Sequence, residues 1–324
     1  GTAYVRHSAV ELGRIAVTQL LAKTGFDPAE LDEVITGCVG QPVDAANLSR
    51  VIALRAGIPE SVPALTVHRN CASGFEAVTS AAEKILSGRG QVYLTNGTES
   101  MTQIPLLFQP KTAQKFQALG RAKTLGQKIR AMAQFRPQDF QPRVGLMEGL
   151  TDPVCGLNMG LTAEKVARDF QISREDADAY ALRSHQRAWE ARDFLREEMT
   201  PVFGVHPGGT GVFEQDNGPR EGQSLEALAR LRPVFQKREG TVTAGNASQI
   251  TDGAVSLLVM SAAEVERRGI EPLGALVHYE YAGCDPTRMG LGPVHAMARG
   301  LERGAPWGVE QPRFWRSMKP LPPR

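Results

Sequence analysis

The chain has 324 residues and a formal net charge of +2, so it can bury more than one core, and no charge imbalance selects nucleic acid or an anionic surface. No run of about 18 apolar residues marks a transmembrane helix, and the first residues lack the basic, apolar and small-residue zones of a secretory signal. Cys38, Cys71, Cys155 and Cys284 are widely spaced with no CxxC pair, a pattern that fits a reducing compartment and argues against a disulfide framework or a metal site.

Helical and strand signals alternate from the start, which predicts an α/β layered protein. Ser8 with Glu11 forms a capping box, and Val10, Ile15, Val17, Leu20 and Leu21 give helical periodicity until Gly25. Leu31 to Val39 reads as a buried strand, Asn47 to Ala56 as a helix stopped by Gly57, and Pro63 to Val67 as a strand leading into Cys71. A helix from Gly74 to Leu86 and a strand from Gln91 to Thr95 follow. From Gln103 to Met147 eight Lys and Arg face one acid, Asp139, and Leu119, Ala122, Leu125, Ile129 and Met132 fall at helical spacing. Such a basic amphipathic segment suits a membrane surface or a partner protein; the alternative is a solvated helix packed on its own domain. Helices are expected over Thr162 to Phe170 and Ser173 to Asp193, and a Gly-, Pro- and Asp-rich loop over His206 to Gly222. A strand and turn around Gly240 to Gly253, an apolar run from Ala254 to Met260, a strand near Ala275 to Tyr281 and a helix from Pro293 to Arg303 complete the pattern.

The stretch HRNCASGFEAV, His68 to Val78, concentrates the chemistry. A strand enters a turn and leaves as a helix with Cys71 at the junction, where unpaired N–H groups and the helix dipole stabilise a thiolate. Asn70 and Ser73 can cap the turn, and Gly74 removes a side chain where a substrate could approach. The competing reading is a buried apolar cysteine.

NCASGFEAV resembles the acyl-enzyme signature of the thiolase family. Four further stretches resemble that family's motifs in its order: NGTESM (Asn96 to Met101), NMGLTAEKVA (Asn158 to Ala167), GTVTAGNASQITDGA (Gly240 to Ala254) and MGLGPVHA (Met289 to Ala296). The resemblance implies an αβαβα layered fold built from two βαβαβαββ halves. Residues 1–103 with 238–263 would form the first half, 104–237 a loop domain with the basic insertion, and 264–324 the start of a largely missing second half. It implies that Cys71 takes the acyl group, Met159 borders the acyl pocket, Ala244 and Ser248 meet the pantetheine arm, and Arg220 reaches the nucleotide phosphates. Coenzyme A would be a co-substrate, with no permanently bound cofactor and no metal, and acyl-CoA or 3-ketoacyl-CoA the substrate. Asn158, where many relatives have His, and the basic insertion are similar to thiolase subunits of fatty-acid β-oxidation complexes. That likeness implies medium or long 3-ketoacyl chains, a hydratase–dehydrogenase partner subunit, peripheral membrane contact through 104–147, and a bacterial cytoplasmic or mitochondrial location. A homodimer or tetramer is expected, paired through the strand after the Cys71 helix. Ketoacyl synthases also use a cysteine, but they lack the 240–254 motif and the basic loop domain.

Three later family motifs, Asn-Glu-Ala-Phe, Gly-His-Pro and a C-terminal Cys-x-Gly, have no counterpart in the sequence, and none of His7, His68, His185, His206, His278 and His295 stands in a Gly-His-Pro context. The tail FWRSMKPLPPR, Phe314 to Arg324, equals an out-of-frame reading of a family-like FWEINEAFAAQ with one base lost after the Trp codon. Gly304 to Arg313 is also atypical, and the family's first strand is expected to be absent. The chain is therefore expected to be truncated at both ends, with Val78, Ala81, Ala82 and Ile85 presenting an apolar helix face prone to association. Two functional readings remain: a 3-ketoacyl-CoA thiolase, and an inactive fragment that only binds acyl-CoA or a partner.

Overall fold

The structure is a computed structural model that describes residues 3–206 and 209–304. The tail from Phe314 to Arg324 and nearly all of the segment from Gly304 to Arg313 lie outside those residues. Helix α1 (Ala9–Thr24) starts where the Ser8 hydroxyl accepts the Glu11 N–H at 3.2 Å and ends at Gly25 with φ 65°. The capping box is only half made, because the Glu11 carboxylate turns to Arg14. Strand β1 (Glu33–Gly37), helix α2 (Leu48–Arg55) behind its Asn47 cap, strand β2 (Ala64–Val67), helix α3 (Ser73–Leu86) and strand β3 (Val92–Ser100) follow as the alternating pattern predicts.

A more irregular stretch comes next. The two-residue strands β4 (Leu106–Leu107) and β5 (Arg143–Val144) pair around helices α4 (Pro110–Arg121) and α5 (Leu125–Met132). The expected amphipathic segment is thus broken between Ala122 and Thr124, where a reciprocal Thr124–Gln127 capping box restarts the helix. Helices α6 (Gly145–Gly149), α7 (Met159–Asp169), α8 (Arg174–Glu190) and α9 (Arg192–Glu198) continue the chain. Strands β6 (Val202–His206) and β7 (Gly209–Phe213) form an antiparallel pair whose second strand lies inside the 206–222 stretch that reads as a loop. Helix α10 (Leu225–Ala229), strand β8 (Asp252–Met260), helix α11 (Ala262–Arg268) and helix α12 (Gly292–Glu302) complete the described elements.

The main sheet runs β2-β1-β3-β8, parallel across β1, β2 and β3 and antiparallel at β8. Helices α1 and α2 cover one face, burying Val17, Leu48, Ile52 and Leu94. Helix α3 covers the other through Ala77 and Ala81 against Ile35 and Tyr93. Each fully buried Ile or Leu contributes about 1.5–3 kcal/mol relative to exposure, so this α/β/α sandwich is the stable frame of the site. Of the apolar α3 face expected to be open, Ala81 is buried against the sheet and Val78, Ala82 and Ile85 are half-buried, while outside that set Phe75 is 76% exposed and Leu86 83%.

Two expectations are corrected by hydrogen bonding. Residues 240–251 form an irregular loop and no strand, because side chains of Glu164 and Asn246 take the backbone N–H groups a ladder would use. Residues 275–281 find no ladder partner among the described residues, and a β pattern without pairing is not a strand. Over Tyr93–Gly97, β3 is paired on both sides by β1 and β8, while Thr98–Ser100 pair with β8 alone.

Candidate active site

The Cys71 turn is assembled by Ser73. Its Oγ accepts the Arg69 N–H at 2.9 Å and donates to the Asn70 carbonyl at 2.7 Å. Asn70 sits at φ 45°, a left-handed conformation that costs a non-glycine residue about 1 kcal/mol or more. That conformation reverses the chain at the head of α3 and leaves Cys71 exposed with a free thiol. The His68 Nδ1 accepts the Asn70 N–H at 3.4 Å, so this imidazole faces the turn's backbone. Among the described residues no histidine hydrogen-bonds Cys71.

Glycine lets this head of α3 approach the sheet. A Cβ on Gly37 would lie 2.0 Å from the Ser73 carbonyl oxygen, and one on Gly97 would lie 3.3 Å from the Gly74 Cα. At Gly74 a Cβ would meet nothing closer than 3.9 Å, so the steric demand falls on the strand glycines and not on the helix glycine singled out in the sequence.

Arg69 extends outward from the turn. It forms a bidentate pair with Glu76, which holds the Glu76 carboxyl below the usual carboxylate range, and its guanidinium lies 3.9 Å from the centroid of the Tyr281 ring. The Tyr281 hydroxyl meets the Thr79 hydroxyl at 2.5 Å, and the Tyr279 hydroxyl donates to Glu83 at 2.7 Å. The Glu83 hydrogen bond, aided by burial, pushes the Tyr279 phenol up to about 12. Sequence reasoning missed this group, because Tyr281 belongs to a segment read as a strand. The spacing of Arg69 and Glu76 across the turn is its only local signal.

The other expected site residues gather elsewhere. Met159 opens α7 and is half-buried, behind the Asn158 cap on the Gly160 N–H at 3.0 Å. A Cβ on Gly160 would collide with the Phe235 ring, so α7 is wedged against that ring. Buried Glu164 of the same helix accepts from Thr241 N–H at 2.8 Å, Thr241 Oγ1 at 3.1 Å and Val242 N–H at 3.1 Å. Asn246 donates to Asp178 of α8 at 2.9 Å. These bonds fix the loop on which Ala244 and Ser248 are both exposed. The structure thus ties α7, which Met159 opens, to the loop that carries Ala244 and Ser248, while separate bonds organise the Cys71 turn. Arg220 stands apart, exposed, with its N–H on the His185 Nδ1 at 3.4 Å. Beside it lies a shallow cavity lined by Trp189, Arg192, Asp216 and Pro219.

Comparison with known proteins reaches the same family. Residues 1–263 match the family described as thiolase, N-terminal domain. The chain is 36% identical over 306 residues to a 3-ketoacyl-CoA thiolase of Pectobacterium atrosepticum, covering 93% of this chain and 69% of that protein. The structure of the Bacillus anthracis acetyl-CoA acetyltransferase superposes with a TM-score of 0.82 at 34% identity, over 96% of this chain and 74% of that one. Human mitochondrial 3-ketoacyl-CoA thiolase in complex with CoA gives 0.78 at 34%, over 95% and 72%. The chain belongs to the thiolase family and is, by family, a thiolase-type acyltransferase.

Proposed function

We propose that the chain is a 3-ketoacyl-CoA thiolase of fatty-acid β-oxidation that works through an acyl thioester on Cys71. The observation that carries this reading is an exposed thiol at the head of α3, on a turn held in a left-handed conformation. Cys71 takes the acyl group as its thiolate attacks the 3-keto carbon and the C2–C3 bond breaks, releasing acetyl-CoA as its enolate. Coenzyme A then cleaves the thioester. Helix-head N–H groups favour the thiolate and the oxyanion. Met159 lines the acyl pocket, Ala244 and Ser248 border the pantetheine arm, and Arg220 meets the nucleotide phosphates; the 240–251 loop, held by Glu164 of α7 and Asp178 of α8, supports the Ala244 and Ser248 assignment.

In this reading 1–103 with 238–263 form one unit, 104–237 a loop domain and 264–324 the start of a second half. The pairing of β8 along the whole of β3 supports the first grouping. The exposed Leu125, Ile129 and Met132 among lysines and arginines favour peripheral membrane contact through 104–147; among the described residues no helix is long and apolar enough to cross a bilayer. A hydratase–dehydrogenase partner, a homodimer or tetramer, and a bacterial cytoplasmic or mitochondrial location belong to the same reading.

The second reading is an inactive fragment that binds acyl-CoA or a partner, favoured by the absence of any hydrogen bond from a described histidine to Cys71. Incubation with acetyl-CoA followed by peptide mass spectrometry separates the two. The first predicts an acetyl group on Cys71, lost in Cys71→Ser, with turnover in the presence of a 3-ketoacyl-CoA. An adduct without turnover supports the fragment, and no adduct with saturable acyl-CoA binding removes Cys71 as acceptor.

A further inference from the structure

We propose that Tyr281 is a positioning residue for the Cys71 turn, acting through Arg69 from a part of the chain distant in sequence. The inference rests on Cys71 as acyl acceptor and concerns what keeps that thiol at the head of α3.

The connection runs through five contacts. At the C-terminal end of α12 the Arg303 guanidinium pairs with Glu280 at 3.0 Å, and within the helix the Arg299 Nη1 donates to the Tyr281 carbonyl at 3.3 Å. These anchor the 279–281 segment from behind. In front, Tyr281 lays its ring on the Arg69 guanidinium at 3.9 Å and sets its hydroxyl on Thr79 of α3 at 2.5 Å. Glu76, also of α3, binds the edge of the same guanidinium. Arg69 is therefore gripped on its face by an aromatic ring and on its edge by a carboxylate, the geometry a planar guanidinium matches and a lysine ammonium does not. The charged and titratable groups around the grip are Glu76, Glu83 and Tyr279, with His68 on the turn itself.

The backbone gives this grip a consequence. The Arg69 N–H is the donor that orients the Ser73 hydroxyl, and that hydroxyl in turn holds the Asn70 carbonyl. Asn70 at φ 45° persists only while its surroundings over-determine it. Releasing Arg69 lets Asn70 relax toward negative φ and swings Cys71 away from its exposed place at the head of α3. Tyr281 thus sets reactivity without touching substrate.

The test is alkylation of the full chain by iodoacetamide from about pH 6 to about pH 10, followed site by site by peptide mapping. Tyr281→Ala is expected to slow Cys71 about fivefold at neutral pH. Tyr281→Phe, which keeps the ring, stays near the parent. Cys155 reports general reactivity and buried Cys38 reports an intact fold. A Cys71 rate in Tyr281→Ala equal to the parent's across that range overturns the proposal, as does a change shared equally by Cys155. If Cys38 becomes reactive the fold has opened, and Tyr281→Leu, which fills the space without a π face, takes its place; an unchanged Cys71 there overturns the proposal. The acetyl-CoA experiment is independent: no adduct alongside a clear Tyr281 effect removes the acyl-transfer reading and keeps the positioning role.

Discussion

Cys38 and Cys71 stand just beyond the C-terminal ends of β1 and β2, parallel neighbours in one sheet. At the end of β1 the backbone folds back under Glu99, whose carboxylate accepts the N–H groups of Val39 and Gly40 at 2.9 Å each and faces the Cys38 sulfur at 3.9 Å. Burial, with the Glu99 charge behind it, pushes the Cys38 thiol up to about 12. At the end of β2 the chain instead turns outward through left-handed Asn70 and presents Cys71 to solvent at a helix head. Position at a strand end does not make a thiol reactive; what the next few residues do with their N–H groups decides it. At β1 they go to a carboxylate beside the thiol, and at β2 those of Ala72 and Ser73 close the turn on the Arg69 and Asn70 carbonyls at 3.0 Å each.

The widest gap between the two ends is chemical. At about pH 8 a thiol with a value near 12 is thiolate in roughly one molecule in ten thousand, so iodoacetamide should label Cys71 and leave Cys38 untouched in the folded chain. Comparable labelling of both by peptide mapping would break the comparison at its root.

The next test joins the two ends through Gly37. Gly37→Ala places a methyl 2.0 Å from the Ser73 carbonyl, which backbone can relieve only by moving the head of α3 off β1. A loss of about 3 kcal/mol is expected from urea unfolding, together with slower Cys71 alkylation. A variant as stable as the parent would show that α3 is not seated on β1 as described. Glu99→Ala probes the quiet end. It strands the Val39 and Gly40 N–H groups and should cost about 2 kcal/mol, while removing a negative charge from beside Cys38. Because burial is the first cause of the raised Cys38 value, that thiol should stay largely unreactive; full labelling would assign its inertness to Glu99 instead.

How much of this was legible in sequence follows the same division. The Ser8 cap, the Gly25 stop, the Asn47 cap and the strand–turn–helix at Cys71 are local devices, and each is where its residues predict. The β6–β7 pair was not legible, because its glycines signal a turn as strongly as they signal a loop. The 240–251 segment reads as a strand from Val242 and Ile250, yet its donors go to Glu164 and Asn246, a competition that composition does not reveal. Tyr281 was beyond reach for a simpler reason: its partners Arg69 and Thr79 are remote in sequence, and only the fold brings them together. The expected roles of Met159, Ala244, Ser248 and Arg220 came from resemblance, and their chemistry stays with the proposal.

The smallest effect sharpens the electrostatic half of the comparison. Arg69 holds the Glu76 carboxyl below its ordinary value, its hydrogen bond being the largest cause. A depressed folded value means that the unfolded chain binds the proton more tightly. The stabilisation is therefore present above the unfolded value of about 4.3 and disappears as pH falls through the lower, folded one. Arg69 is 46% exposed, and solvent screening keeps the contribution under about 1 kcal/mol. Glu76→Gln should lower stability by that small amount at about pH 7, with the deficit shrinking toward about pH 3 as the parent's carboxyl takes up its proton. Paired urea titrations at the two pH values read the difference directly. A deficit that persists undiminished in acid would mean that Glu76 holds Arg69 by shape and hydrogen bonding alone, and the turn that carries Cys71 would then keep its grip at any pH the fold survives.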